Sequence, residues 1–376
     1  MREKKLLTKL LFVLYLFLEF PLENFMQFTI IKYIPIIISL FINIDVVYMS
    51  FTKIKKYSLS NKKLLKSIIL LGALFLGLSI LKQIIHWNFN FLYVKEIIFL
   101  VFPFLYAVVL YHTDKNHSFY FNSLNIMLII DFLIRFSSEL SIESINSISF
   151  INSTSPFESE LADFFLILLF YRLFIKKNRL LVIINCVLCI LSFKRMHLMF
   201  IIIFFIITLI KNNKNIIINK YIFKLFEFLI VLAPIVIIML LSNNFDLWFY
   251  NNFGISFNQF TLGRFNLLQT VIDYNGTFDG LGTVNELIAA KYSNINNLHN
   301  DSVRLVYEVS LIGYFFYVHI IWNVSKGNLI ISTLILFLFS IIIVSHILTS
   351  FCTWVLVYLI IFIFYDDDNF LKEENM

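Results

Sequence analysis

Residues 67–85 read SIILLGALFLGLSILKQII, and this stretch decides the class of fold. A helix that crosses a bilayer needs about 20 apolar residues, and this run has that length with Lys82 as its one charge. The chain is therefore predicted to be an all-α polytopic integral membrane protein with about twelve transmembrane helices. The apolar runs lie near residues 6–20, 29–51, 67–85, 91–111, 120–136, 158–175, 180–193, 198–210, 225–242, 303–322, 329–346 and 350–365.

The composition agrees with this class. Of the 376 residues, 60% are hydrophobic and 14% are charged, and a soluble domain of this size could not stay in solution with that balance. The net charge of +6 comes from separate loops, which excludes a continuous nucleic-acid-binding face. Cys186, Cys189 and Cys352 lie in apolar runs, where they are expected to be small core residues.

The basic residues predict the orientation, because cytoplasmic loops carry an excess of Lys and Arg. With the N-terminus inside, the inner ends and loops hold 21 of the 30 basic residues, the outer loops hold five, and four fall within spans. We therefore expect a single polytopic domain, 1–376, with both termini in the cytoplasm. Residues 243–303 would form one large extracytoplasmic loop, and candidate chemistry is concentrated there.

Three short motifs stand in this loop: Gly263-Arg264, Gly280-Leu281-Gly282 and His299-Asn300-Asp301. Arg264 is predicted to lie on a short helical segment, 261–268. The Gly-x-Gly could let the backbone approach a ligand, although outside a strand–turn–helix setting it is weak evidence for phosphate binding.

The third motif precedes an apolar span. Asn300 or Asp301 is expected to be the N-cap of its helix, which would put His299 at the membrane surface. Capping with interfacial polarity explains the same residues without chemistry, and both interpretations stay open. His346 is placed within a span, where helix packing is expected.

The hairpin 180–210 has apolar arms of only 14 and 13 residues, which reach about 20 Å in a hydrocarbon core of about 30 Å. If both arms start at the inner surface, Lys194 and Arg195 would lie below the outer surface. Charges at that depth usually face a water-filled cavity or a partner. Alternatively, flanking residues lengthen both helices, and the two side chains reach the lipid headgroups.

Two couples of opposite charge are four residues apart within spans: Arg304 with Glu308, and Asp131 with Arg135. Residues at this spacing share a helix face, and charges within the membrane need partners. A structural ion pair is the first expectation for both couples.

At these residues the chain resembles the O-antigen polymerase family, within the O-antigen polymerase and ligase superfamily. Those proteins have ten to fourteen spans and one large periplasmic loop late in the sequence. They share an Arg in an earlier outward hairpin, a Gly-Arg, a Gly-x-Gly, and a His-Asn before a span with Glu and Gly. The corresponding elements here are Lys194-Arg195, Gly263-Arg264, Gly280-Leu281-Gly282, His299-Asn300, and Glu308 with Leu311-Ile312-Gly313.

The motifs cover residues 243–322 and 192–197, and elsewhere only hydropathy matches. Many relatives have Ser-x-Ser-Arg at the hairpin, whereas this chain has Ser192-Phe193-Lys194-Arg195. The loop is also compact, with little room for an additional acceptor-binding subdomain. Both departures leave open which acceptor molecule the protein would use.

The resemblance implies a glycosyltransferase of the bacterial inner membrane that polymerises surface polysaccharide without a metal or other cofactor. Donor and acceptor would be oligosaccharides on undecaprenyl pyrophosphate. Arg264 and Arg195 would bind the pyrophosphate, and His299 would be the general base or a phosphate contact. The remaining substrate-binding candidates are Lys194, Gly280, Gly282, Asn300, Arg304 and Glu308.

Two other functions stay open. A ligase would use the same donor with lipid A–core as the acceptor. A flippase or transporter of lipid-linked sugars would be expected to show internal repeats and charges along a membrane path, whereas polarity here is concentrated in one outer loop. The expected partners are the bilayer, the lipid-linked oligosaccharide, a chain-length regulator and a flippase of the same pathway, and no nucleic acid.

Overall fold

The computed structural model describes residues 2–26, 30–52, 59–147, 155–192, 194–210, 216–241, 243–261, 263–293 and 295–373. Regular structure in these residues is helical, apart from an isolated antiparallel bridge between Ile217 and Asn328. The first ten α-helices are α1 Arg2–Glu19, α2 Ile34–Ile42, α3 Ile44–Thr52, α4 Leu59–His86, α5 Leu92–Thr113, α6 Ser118–Phe136, α7 Ile142–Asn146, α8 Leu161–Phe174, α9 Arg179–Leu191 and α10 Arg195–Leu209. The others are α11 Lys220–Leu240, α12 Asn243–Phe253, α13 Phe257–Phe260, α14 Arg264–Ile272, α15 Thr283–Lys291, α16 Asp301–Asn323, α17 Leu329–Val344 and α18 Phe351–Glu373.

Among the described residues, five helices are long and apolar enough to cross a membrane. They are Leu64–His86 within α4, and α5, α6, α11 and α16. Five shorter apolar helices are Ile31–Ile42, Arg179–Leu191, Arg195–Leu209, Leu329–Val344 and Phe351–Asp366. The protein is therefore a helical membrane protein. Each of the twelve predicted apolar runs contains helix, while the number that cross the bilayer stays a prediction.

The second predicted run, 29–51, is interrupted. A 3-10 turn at Ile31–Tyr33 leads into α2, and α2 ends at Asn43, where α3 follows. The Asn43 side chain donates to the Ser39 carbonyl at 2.8 Å and to the Thr8 hydroxyl on α1 at 2.9 Å. The break is thus stabilised by a buried amide whose partners include a distant helix.

Four of the apolar helices begin at an asparagine whose side-chain oxygen accepts a hydrogen bond from the first turn. These N-caps are Asn178 of α9, Asn219 of α11, Asn300 of α16 and Asn328 of α17. Each cap satisfies an amide that the helix itself cannot and stabilises its helix by about 1 kcal/mol. Asparagine therefore sets where these four helices start.

The helices form two compact units, each assembled from segments that are distant in the sequence. The first unit comprises Met1–Lys63, Pro103–Asn212 and Cys352–Met376, and the second comprises Leu64–Phe102 and Asn213–Phe351.

In the first unit, the start of α1 is held to the connection between α5 and α6. Lys5 and Lys9 form ion pairs of 2.6 and 2.5 Å with the two carboxylate oxygens of Asp114. Burial raises the pKa of Asp114, but hydrogen bonds from the two ammonium groups outweigh that effect and lower the pKa to about 2. Asp114 is therefore a carboxylate at physiological pH.

In the second unit, α11, α16 and α17 pack against one another. At one end, Ile218 donates to the Gly327 carbonyl at 2.8 Å, and the Trp322 indole donates to the Phe223 carbonyl at 3.0 Å. This end joins the segment before α11 to the connection between α16 and α17. The opposite end carries the connection between α4 and α5, residues 243–303, and the segment that follows α17.

Residues 243–303 contain four short helices, α12 to α15, and carry a hydrophobic core of their own. Val271, Val284, Ile288 and Leu298 are fully buried in it. Contact with α16 is made through Val303, which is also fully buried. The segment is therefore a folded element seated on the end of α16, and it holds the motifs in fixed positions.

Candidate functional site

Two of the sequence motifs, Gly263-Arg264 and His299-Asn300-Asp301, contact the C-terminal end of α17 or the residues directly after it. An α-helix leaves its last four carbonyl groups without partners in the helix. The Val344 carbonyl, at the last residue of α17, accepts a hydrogen bond of 2.7 Å from the Arg264 guanidinium. Arg264 is the first residue of α14 and is half-buried, directly after Gly263 with φ of 82°. Glycine suits that left-handed backbone, so the Gly-Arg pair starts the helix and places the guanidinium.

His299 lies beside the same segment. Its Nδ1 is 3.1 Å from Nδ1 of His346, and the two rings meet edge to face with centroids 4.7 Å apart. Both side chains are half-buried. The prediction that His346 lies within a span is wrong, because α17 ends at Val344 and His346 belongs to the connection that follows. Sequence reasoning therefore missed a second histidine at the candidate site.

Asp301 holds this connection in place. Its carboxylate accepts hydrogen bonds of 2.7 Å from the backbone N–H groups of Ile347 and Leu348, and its own N–H donates to the Ser345 carbonyl at 3.2 Å. The prediction that Asn300 or Asp301 caps the helix is confirmed for Asn300, whose oxygen accepts from the Val303 N–H at 2.9 Å. The predicted cap and its neighbour thus fix both the start of α16 and the end of α17.

Arg304 lies behind these residues and is 1% exposed. Its guanidinium contacts Glu308 at 3.1 Å, Glu96 at 2.6 Å and Asp301 at 3.5 Å. The predicted ion pair between Arg304 and Glu308 is confirmed, and two more carboxylates share the same cation. One guanidinium therefore joins α16 to α5, which carries Glu96.

Glu308 also caps a helix. Its second oxygen accepts from the Val284 N–H at 2.9 Å, in the first turn of α15, where the helix dipole favours negative charge. Within the structure Arg304 and Glu308 contact each other and the surrounding protein. Their assignment as substrate-binding residues stays a prediction.

The Gly-x-Gly motif allows helices to approach closely. Gly280 has φ of 121°, and a Cβ there would lie 2.8 Å from Cβ of Ser79 on α4. Gly282 has φ of 91°, and a Cβ there would lie 3.0 Å from Cβ of Leu92. Packing against α4 and α5 accounts for both glycines, and their role in substrate binding stays a prediction.

Asp279, beside this motif, is another residue that sequence reasoning missed. It is 3% exposed and lies 2.6 Å from Nδ1 of His86, with further hydrogen bonds from the side chains of Asn88 and Thr277. The available signal was an acidic residue between glycines, but two of its partners, His86 and Asn88, are 193 and 191 positions away. The contact fixes the connection between α4 and α5 against residues 243–303.

Lys194 and Arg195 belong to the first unit. Lys194 is the N-cap residue of α10 and forms an ion pair of 3.4 Å with Asp163 of α8. Nε2 of His197 is 2.6 Å from the same Asp163 oxygen, and both Asp163 and His197 are buried. Lys194 therefore has an acidic partner, while the depth of the hairpin in the membrane stays a prediction. An acidic residue in the apolar run 158–175 was the signal for that partner.

Arg195 is the first residue of α10 and is half-buried. It belongs to the first unit, whereas Arg264 and His299 belong to the second. The structure brings together Arg264, His299 and Asn300 around the end of α17, with Arg304 and Glu308 beneath them.

The chain matches no protein-family model, no curated protein and no solved structure.

Proposed function

We propose that the protein is a polysaccharide polymerase that joins oligosaccharide repeat units carried on polyprenyl pyrophosphate. The reaction is glycosyl transfer on the extracytoplasmic face of the bacterial inner membrane. An acceptor hydroxyl attacks the anomeric carbon of the donor, and the lipid pyrophosphate departs.

The observation that carries this proposal is that Arg264 and His299 each contact a residue of the short segment 344–346. Arg264 reaches Val344 and His299 reaches His346, so a permanent cation and a titratable base are held at one helix end. Both side chains are half-buried, which leaves each one partly accessible to a substrate.

These two groups suit the proposed reaction. The pyrophosphate leaving group is already activated, so the protein must mainly position the substrates and stabilise negative charge. A guanidinium remains charged and binds phosphate through two parallel hydrogen bonds. A neutral imidazole accepts the acceptor hydroxyl's proton near pH 7. Arg195 is proposed as a second phosphate contact from the resemblance alone.

The contacts within the second unit support the sidedness of the proposal. Two sets of connecting segments alternate along this part of the chain. One set contacts itself at one end of the helices and comprises residues 86–91, 243–303 and 345–350; the other set does so at the opposite end and comprises residues 216–219 and 323–328. Lys220, Lys224 and Lys326 lie at the end opposite to Arg264 and His299. These three lysines belong to the 21 of 30 basic residues that the sequence places at inner ends and loops, and an excess of basic residues marks the cytoplasmic side. We therefore propose that His299 faces the outer side.

The test is a strain that lacks the protein, complemented with the wild type or with His299→Ala. The proposal expects surface glycan of a single repeat unit in the deletion strain and a full ladder only with the wild type. Complete loss of glycan from an intact core would instead identify a ligase. Undecorated intermediates on the cytoplasmic face would identify a flippase.

A further inference from the structure

We infer that His346 is a positioning residue that holds His299 in the tautomer able to act as a base. This inference rests on the proposed function, and it assigns a role to a residue outside every motif in the sequence. The carrying observation is the contact of 3.1 Å between Nδ1 of His299 and Nδ1 of His346.

The backbone on both sides of this contact is fixed. His299 directly precedes Asn300, the N-cap of α16. His346 stands between Ser345, which accepts from the Asp301 N–H, and Ile347, which donates to the Asp301 carboxylate. Asp301, at the start of α16, binds the residues on both sides of His346. The imidazoles of His346 and His299 are therefore held next to each other.

A contact between two Nδ1 atoms needs one proton, because one nitrogen must donate and the other must accept. If His299 donates, its Nε2 carries the lone pair, and the ring can take a proton there. If His346 donates, His299 must carry its proton on Nε2 and can only donate from that atom. The pair therefore decides whether His299 is a base or a hydrogen-bond donor.

The first arrangement completes the proposed chemistry. The acceptor oxygen forms a bond to the anomeric carbon as the bond from that carbon to the pyrophosphate oxygen breaks. The hydroxyl proton moves to Nε2 of His299, and the electron pair leaves with the lipid pyrophosphate. The resulting imidazolium keeps its Nδ1–H on His346, which stabilises the new positive charge as the carboxylate does in a Ser-His-Asp triad.

Charged groups near the pair include Asp301 on the neighbouring amides, Arg264 on the Val344 carbonyl, and Arg304 beside Asp301. Arg264 and Arg304 remain protonated at all working pH values. We therefore expect His299, and not either arginine, to set the acid limb of the pH–rate profile.

The experiment compares wild type, His346→Ala, His346→Gln and His346→Asp in purified protein. Hydrogen-bond partners of metal-bound histidines contribute about 10–100-fold, and we expect His346→Ala to lose turnover on the same order. His346→Gln retains a hydrogen-bond acceptor in the side chain and should recover part of the lost turnover. The acid limb should move to lower pH in His346→Ala and to higher pH in His346→Asp, because the partner stabilises the imidazolium. His319→Gln, near the other end of α16, is the matched control.

Nitrogen NMR of ring-labelled histidine supplies a readout that does not depend on turnover. The His299 resonances, assigned by difference from His299→Gln, should show a protonated Nδ1 and an unprotonated Nε2. If His299 shows this tautomer but the protein has no polymerase activity, the proposed function is overturned and the contact between His299 and His346 still stands. A protonated Nε2, or an acid limb unmoved in all His346 variants, would overturn the role of His346.

Discussion

The guanidinium of Arg264 donates a hydrogen bond of 2.7 Å to the carbonyl of Val344, the last residue of α17. This contact connects the Gly-Arg motif to a helix end about 80 positions away in the sequence. The hydrogen bond places the guanidinium at the end of α17, two residues before His346 in the sequence.

Arg264→Lys should be much less active than the wild type, although it keeps the charge. A lysine cannot hold the Val344 carbonyl and bind pyrophosphate through a planar fork of hydrogen bonds. Loss of one preorganised charge stabiliser costs on the order of 100-fold in rate. The measurement is the initial rate of polymer formation at equal membrane abundance. Arg179→Lys, at the exposed start of α9, should be unchanged, and an Arg264→Lys rate equal to wild type would reject bidentate binding.

His299→Ala should abolish visible polymer growth, because general base catalysis contributes about 100- to 10,000-fold. The side chain is half-buried and contacts His346, so normal thermal stability is expected in detergent. His299→Gln keeps hydrogen bonding but cannot take a proton near neutral pH, and it should be as inactive. Substantial activity of the Gln variant would assign His299 to substrate binding instead.

Arg304→Met should lower stability strongly, because it leaves Glu96, Asp301 and Glu308 without their shared cation. Removal of one partner from a buried ion cluster costs about 3–5 kcal/mol. The thermal unfolding midpoint in detergent measures the effect, with Arg179→Met at an exposed site as the control. A midpoint equal to the wild type would show that the cluster does not hold α5 and α16 together.

Stability should fall in acid through Asp114. Its folded pKa of about 2 lies below the usual value of 3.8, so its ion pairs stabilise the protein fully above about pH 4. That contribution is lost as the pH falls from about 4 through about 2. Asp114→Asn should be less stable than wild type at pH 6, and the difference should shrink at pH 3. A difference that does not depend on pH would contradict the ion-pair role.

The segment 243–303 should react from outside the cell. Cysteine at Ser293, which is exposed, should be labelled by a membrane-impermeant maleimide in whole cells with a permeable outer layer. Cysteine at Lys177, in the exposed connection between α8 and α9, should react only after lysis. The unsubstituted protein controls for the three native cysteines, which lie within helices. The reverse pattern would invert the orientation and remove the site from the outer face.

Much of the helical framework could be predicted, because long apolar runs are a strong local signal. The predicted runs 120–136 and 303–322 became Ser118–Phe136 and Asp301–Asn323. The interruption of run 29–51 at Asn43 could not be predicted, since it depends on the contact with Thr8 of another helix. The assembly of two units from distant segments is equally beyond a reading of local hydropathy.

Some contacts of the candidate site could also be predicted from the sequence, and others could not. The couples Arg304–Glu308 and Asp131–Arg135 were predictable and are confirmed, because residues four apart on a helix must meet. Contacts between distant residues were missed, such as Asp163 with Lys194 and His299 with His346. For His346 the apolar pattern also suggested a longer helix than the one that ends at Val344.

The central claim is glycosyl transfer from a polyprenyl-pyrophosphate donor, and its most direct test is reconstitution. Purified protein in liposomes is given polyprenyl-pyrophosphate-linked repeat units, and product length and released polyprenyl pyrophosphate are measured together. The account predicts a ladder of products with one pyrophosphate released for each new linkage, and neither product from His299→Ala. Repeat units that stay single with the wild type, or ladders of equal length from His299→Ala, would contradict it.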